Sequence, residues 1–203
     1  TYIFFDEIQH VTDFPDIINS LNLKPTVDLY VTGSNAYMLS SEIATLLSGR
    51  YVEIAMLPLS FKEYAEGIGG TDHLSQTYIE YVSKSSFPYT LELDTANEIS
   101  DYLNAVYNTI VVKDIMSRNK LSDVMMLESV IRFTADNIGN ILSTKRIADL
   151  MSADGRKIDQ KTVEKYLSTL CESFFLYEVK RYNIKGKQLL KTLGKYYLVD
   201  IGL

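Results

Sequence analysis

Apolar residues follow two successive rhythms along this chain. Over the first 57 positions, short continuous apolar runs alternate with stretches of helical spacing. Tyr2-Ile3-Phe4-Phe5 runs directly into Asp6-Glu7, the pattern of a strand buried on both faces of a parallel sheet. Phe14, Ile17, Ile18 and Leu21 recur at helical spacing, with Asp13 placed to cap the helix ahead of Pro15. Residues 27–31 read as a second strand closed by Thr32-Gly33-Ser34-Asn35. A helix over 40–47 follows, then a third strand over 52–56. Strands alternating with helices indicate an α/β parallel sheet.

Beyond Pro58 the spacing turns helical. Ser60 caps a helix over 61–66, Gly67-Ile68-Gly69-Gly70 forms a loop, and helices are predicted over 74–82 and 96–116. The last 80 or so residues have their own plan. A helix over 124–138 precedes a short one over 144–151 capped by Ser143. The turn Asp154-Gly155-Arg156 leads to a helix over 160–173 capped by Asp159. Strand candidates at 175–182 and 195–201 flank a basic turn, Asn183 to Lys187. Helix, helix, turn, helix and hairpin is the order of a winged helix-turn-helix. The fold expected is therefore α/β plus α, divided into 1–57, 58–121 and 122–203.

Charge sharpens that division. The net charge is −6, but residues 1–110 carry four Lys/Arg against fifteen Asp/Glu, and residues 111–203 carry sixteen against eleven. Only the second part suits nucleic acid. One cysteine, Cys171, excludes an internal disulfide and fits a reducing cytoplasm; with only His10 and His73 beside it, a zinc site is not expected. No apolar run reaches the ~18 residues of a membrane span. The chain opens at Thr1 inside an apolar run, as expected of a piece of a longer protein.

The end of the first strand carries the clearest chemistry. A strand buried on both faces first meets water at its carboxyl end, and two acids stand there. In P-loop ATPases one such acid holds Mg²⁺ and its neighbour polarises the attacking water. Asp6 and Glu7 fit those roles; two exposed acids at a strand end are the plainer alternative. Asn35 and Ser34, just past the second strand, stand where a γ-phosphate sensor would lie. Arg50, in Ser48-Gly49-Arg50, is the one arginine of the first 110 residues. Its roles divide between a surface ion pair with Glu53 or Glu42 and a reach toward a neighbouring subunit's phosphate.

Taken together these segments resemble the AAA+ ATPases, and within them the prokaryotic family that ends in a domain of unknown function. The resemblance rests on Tyr2-Ile3-Phe4-Phe5-Asp6-Glu7-Ile8-Gln9, Val31-Thr32-Gly33-Ser34-Asn35, Ser48-Gly49-Arg50 and Leu57-Pro58-Leu59-Ser60-Phe61-Lys62-Glu63-Tyr64. It extends to Val112-Lys113-Asp114-Ile115 and to Tyr196 through Leu203. It implies a partial AAA+ sheet, a helical lid and a winged helix. It also implies ATP and Mg²⁺ as cofactors, with Asp6 as metal ligand, Glu7 as base, Asn35 as sensor and Arg50 as arginine finger in a homo-oligomer.

Two departures qualify it. Lys84-Ser85-Ser86-Phe87-Pro88 stands where the family often has a glycine pair, and serine enters positive φ less freely. No G-x-x-x-x-G-K-[ST] phosphate loop occurs; the family would place it about fifty residues before Thr1 and a nuclease-like domain after Leu203. The chain alone is thus expected not to hydrolyse ATP. Without the phosphate-loop strand, its first 60 or so residues are expected to be poorly ordered, rearranged or paired with another chain. Candidate nucleic-acid contacts are Lys145, Arg146, Lys161, Lys165, Lys185 and Lys187. The alternative reading is a non-enzymatic winged-helix module binding DNA or a protein. Phe174, Phe175, Tyr177 and Cys171 are expected in the core.

Overall fold

The computed structural model describes residues 1–33, 50–116, 123–153, 155–180 and 194–203. The chain divides into two compact units: Thr1–Ala55 with Glu172–Phe174, and Met56–Cys171 with Phe175–Leu203.

In the first unit, β1 (Tyr2–Phe5) and β2 (Asp28–Val31) pair in parallel, Tyr2 opposite Asp28 and Phe5 opposite Val31. Parallel neighbours need a crossover, and α1 (Phe14–Asn22) supplies it. Phe14 and Ile18 of α1 join Ile8 in a small core, against which Phe5, Leu29 and Val31 pack. Among the described residues the opposite sheet face is uncovered: Tyr2 and Phe4 are 71% and 72% exposed, and the Phe4 and Tyr30 rings stack at 4.8 Å. Burial of β1 on both faces is thereby corrected, because among the described residues a helix layer covers one face only. The expected strand over 52–56 does not form. Val52, Ile54 and Met56 are exposed, and an extended segment becomes a strand only where a neighbour completes its backbone hydrogen bonds. The helix expected over 40–47 lies outside the described residues.

The second unit is helical. Ser60 and Glu63 form a reciprocal capping box at the start of α2 (Phe61–Gly67), and Thr95 and Glu98 form another at α4 (Ala96–Asn108). Between them, α3 (Leu74–Ser83) returns Tyr78 and Tyr81 onto Phe61 and Tyr64, with ring centroids 5.2 to 5.6 Å apart in three of the pairs. The helix expected to run to 116 changes geometry at Thr109 and continues as a π-helix to Met116. The change of winding begins at two adjacent β-branched residues, Thr109 and Ile110, which are stiff at χ1 in a helix.

The remaining elements appear in the expected order. They are α5 (Val124–Asp136), α6 (Thr144–Ala153), α7 (Gln160–Glu172) and an antiparallel pair, β3 (Leu176–Val179) with β4 (Lys195–Leu198). A bridge joins Ile141 to Lys195, adding a third extended piece to the pair. The Asp159 carboxylate accepts the Thr162 amide at 2.6 Å, and Gly155, at φ +84°, makes the turn before it. Leu127, Val130, Ile147, Val163, Leu167, Leu170, Phe175 and Leu176 fill one core, which also takes Ile115 and Met116. Cys171 packs half-buried against it. Phe174 departs from expectation: at φ +53° it ends the helix and is 41% exposed, while Phe175 takes the core position.

Candidate functional site

Parallel register decides what meets at the carboxyl ends of β1 and β2. With Phe5 opposite Val31, the next pair outward is Asp6 and Thr32. The Thr32 hydroxyl donates to Asp6 Oδ1 at 2.5 Å, and Thr32 Oγ1 itself accepts the Glu7 amide at 3.1 Å. The Thr32 amide donates to the Phe5 carbonyl at 2.8 Å, and the Ile8 amide to the Thr32 carbonyl at 3.2 Å. One threonine thus anchors both acids and continues the ladder past the strand ends.

Glu7 sits in the left-handed region, at φ 48° and ψ 48°. A residue with a Cβ is disfavoured there by ~1–2 kcal/mol, and the hydrogen bonds of Glu7 and Ile8 to Thr32 hold the turn. The turn separates the acids: Asp6 is exposed and tied to Thr32, whereas Glu7 is half-buried as the chain enters the short turn Ile8–His10. Aligned strand-end carboxylates offer hard oxygen donors of the kind Mg²⁺ takes from a protein, one or two at a time, with phosphates and water completing its shell. The Asp6 carboxylate, exposed at the strand end and fixed by Thr32, fits that role. Among the described residues, no cluster of three or more His, Cys, Asp or Glu is placed to hold a metal unaided.

Arg50 lies exposed in the same unit, its Nη2 donating to Asn19 Oδ1 of α1 at 3.3 Å. Ser34 and Asn35 fall outside the described residues, so the structure joins three of the sequence's candidates to one unit, Asp6 and Glu7 as neighbours. Thr32 is the participant that sequence reasoning passed over. Its signal was the pairing register, which a strand assignment alone does not fix.

The basic candidates of the second unit distribute differently. Lys145 and Arg146 lie exposed in the first turn of α6, where the Arg146 amide is capped by Ser143 Oγ at 3.3 Å. Lys161 and Lys165 lie exposed on α7 with Glu164 between them. Glu164 Oε1 accepts from Gln160 Nε2 at 2.8 Å and from Thr144 Oγ1 at 3.1 Å, so a carboxylate beside these lysines ties α6 to α7. Lys185 and Lys187 lie outside the described residues. No helix among the described residues is long and apolar enough to cross a membrane.

Comparison with known proteins divides the chain much as its structure does. An AAA domain model matches residues 1–65, and the model of a domain of unknown function (DUF8612) matches residues 75–203. An uncharacterized protein of Haemophilus influenzae is 40% identical over 205 residues, covering 100% of this chain and 51% of its own length. Uncharacterized protein MJ1544 of Methanocaldococcus jannaschii is 25% identical over 208 residues, covering 98% of this chain and 46% of its own. The chain therefore spans about half the length of these curated relatives. No solved structure matches it.

Proposed function

Since this chain belongs to the DUF8612 domain family and begins with an AAA domain match, we propose that it is the metal-and-water side of an AAA+ ATPase followed by a helical lid and a winged helix. The observation that carries the reading is the Thr32 clamp on Asp6 and Glu7. Loose acids at a strand end have no need of a partner that fixes one side chain and the neighbouring backbone together.

In this reading Asp6 is the carboxylate that holds Mg²⁺, directly or through water, and Thr32 keeps its Oδ1 in place. Bound there with ATP, the ion would neutralise charge building on the phosphates. Glu7, the next residue along, accepts a proton from the attacking water. Asn35 and Ser34 act as γ-phosphate sensors, and Arg50 acts as a finger toward a neighbouring copy. Residues 1–57 form the nucleotide-binding part, 58–121 the lid and 122–203 the winged helix. These 203 residues contain no phosphate-loop motif to cradle the phosphates, so alone they are expected to be inactive.

The test is Mg²⁺-dependent binding of a fluorescent ATP analogue, and its hydrolysis, by the full-length protein. Asp6→Ala should abolish Mg²⁺-dependent binding. Glu7→Gln should retain binding and lose hydrolysis. Unchanged turnover in both variants would refute the assignment.

A second reading, a binding module without catalysis, is favoured by one observation. The three-helix and hairpin order of residues 124–198 places exposed lysines on α7 and basic residues at the start of α6. Glu164 between those lysines opposes a phosphate backbone, so this reading favours non-specific or protein contact over reading of base edges.

A further inference from the structure

Two stretches singled out separately in the sequence, 84–88 and 196–203, meet around one carboxyl group. Asp200 follows β4 and is 1% exposed. Both of its oxygens accept from Ser85 Oγ at 3.0 Å. Oδ2 also accepts the Ser86 amide at 2.6 Å and the Ser86 hydroxyl at 2.5 Å, and Oδ1 accepts the Gly202 amide at 2.7 Å. Four donors converge on a side chain closed off from solvent, the hydrogen bonding that burial of a polar group requires.

The donors come from opposite ends of the unit. Ser85 and Ser86 lie between α3 and α4, both buried. Ser85 Oγ further accepts the Phe87 amide at 3.1 Å, and the Ser86 carbonyl accepts the Leu59 amide at 2.7 Å, which ties the loop to the approach of α2. Gly202 shows how closely the two segments approach: a Cβ there would lie 2.5 Å from the Lys84 carbonyl oxygen and 2.8 Å from Ser85 Cβ. The serines keep negative φ, since neither is among the positive-φ residues. In place of a glycine pair's backbone freedom they contribute hydroxyl donors.

We propose that Asp200 is a positioning residue, a buried clamp that holds the 84–87 loop to the segment after β4. Through it α2, α3 and α4 move as one body with the α5–β4 module. A displacement of the lid helices would then be carried into the C-terminal module without loss. That consequence rests on the AAA-type reading of the lid; the clamp does not, and its test involves no nucleotide.

Hydrogen exchange on this chain reads the clamp directly. In the wild type, the Ser86 and Gly202 amides should exchange within about tenfold of the α7 core amides of Leu167 and Leu170, although they lie outside regular structure. Asp200→Asn puts an amide group against donors and should speed exchange at Ser86 and Gly202 by about 100-fold, with Leu167 and Leu170 unchanged. Coupling is read separately, from spin labels at Ser75 and Lys161 in a Cys171→Ala background. A single narrow distance should broaden in Asp200→Asn while far-ultraviolet circular dichroism stays the same. Should Asp200→Asn unfold the unit, seen as fast exchange at Leu167, the Ser85→Ala/Ser86→Ala variant decides. It keeps the carboxyl group and both amides, and should speed Ser86 exchange by about tenfold and broaden the distance. An unprotected Ser86 amide in the wild type would overturn the proposal, as would an unchanged distance in whichever variant stays folded.

Discussion

The Thr32 hydroxyl and the Asp6 carboxylate meet at 2.5 Å across two parallel strands, one residue beyond the last pair of the ladder. The contact turns a run of apolar residues ending in two acids into a site with a defined geometry. Removing the hydroxyl while keeping the side-chain shape isolates it. On the proposed ATPase reading, Thr32→Val should lower ATP turnover of the full-length protein by about tenfold, the lower end of what a hydrogen bond to a charged group contributes. Thr32→Ser should stay near wild type. Steady-state kinetics at saturating Mg²⁺ gives the comparison.

One-sided burial of the first sheet predicts opposite responses at two apolar residues of the first unit. Phe4 is 72% exposed and Ile18 is 1% exposed. Phe4→Ser should shift the stability of the unit by no more than ~0.5 kcal/mol. Ile18→Ala should cost ~2–5 kcal/mol. Denaturant titration followed by the amides of β1 and β2 distinguishes the two.

Duplex affinity should depend on Glu164 as well as on the lysines. In an anisotropy titration against random duplex, Lys161→Ala and Lys165→Ala should each reduce the salt slope by about 1. Glu164→Gln should tighten binding, because it removes a charge that opposes phosphate. Binding that ignores salt in all of them would assign the face to a protein partner.

Acid should loosen the helix starts first. The Glu63 and Glu98 carboxylates are held below the usual range by hydrogen bonds to Ser60 and Thr95, and Asp159 by the Thr162 amide. Each binds its proton more readily unfolded than folded, so its contribution is present above the unfolded value. It is lost as pH falls through the folded one. Helicity between pH 5 and 2 should fall less steeply in Glu63→Gln/Glu98→Gln than in the wild type, measured by circular dichroism.

Alkali should act on the second unit through its tyrosines. Burial pushes the phenols of Tyr64, Tyr102, Tyr107, Tyr166, Tyr177 and Tyr196 upward, most strongly at Tyr196, where Glu178 adds to it. The fold favours the protonated form, so their contribution is complete below the ordinary value of ~10 and declines as pH rises above it. Phenolate absorbance at 295 nm should rise later in the folded chain than in urea, with unfolding accompanying the late phase.

Local spacing and local chemistry were enough to determine most helices of this protein. Ser60 with Glu63, Thr95 with Glu98, and Asp159 ahead of Thr162 are starts written within four residues, and all three helices begin where those residues stand. The order of the last five elements was legible for the same reason, as was the acid pair after Phe5. What only the tertiary structure decided depends on residues far apart in the chain. An apolar run such as 52–56 has the composition of a strand, yet its fate rests on whether another segment offers hydrogen bonds. Burial of β1 on one face or two rests on what lies above it. Thr32 reaches Asp6 over 26 positions through a register that composition does not encode, and Ser85 reaches Asp200 over 115. A side chain's periodicity reports which face of its own element is apolar; which distant donor a carboxylate meets is fixed only when the chain closes on itself.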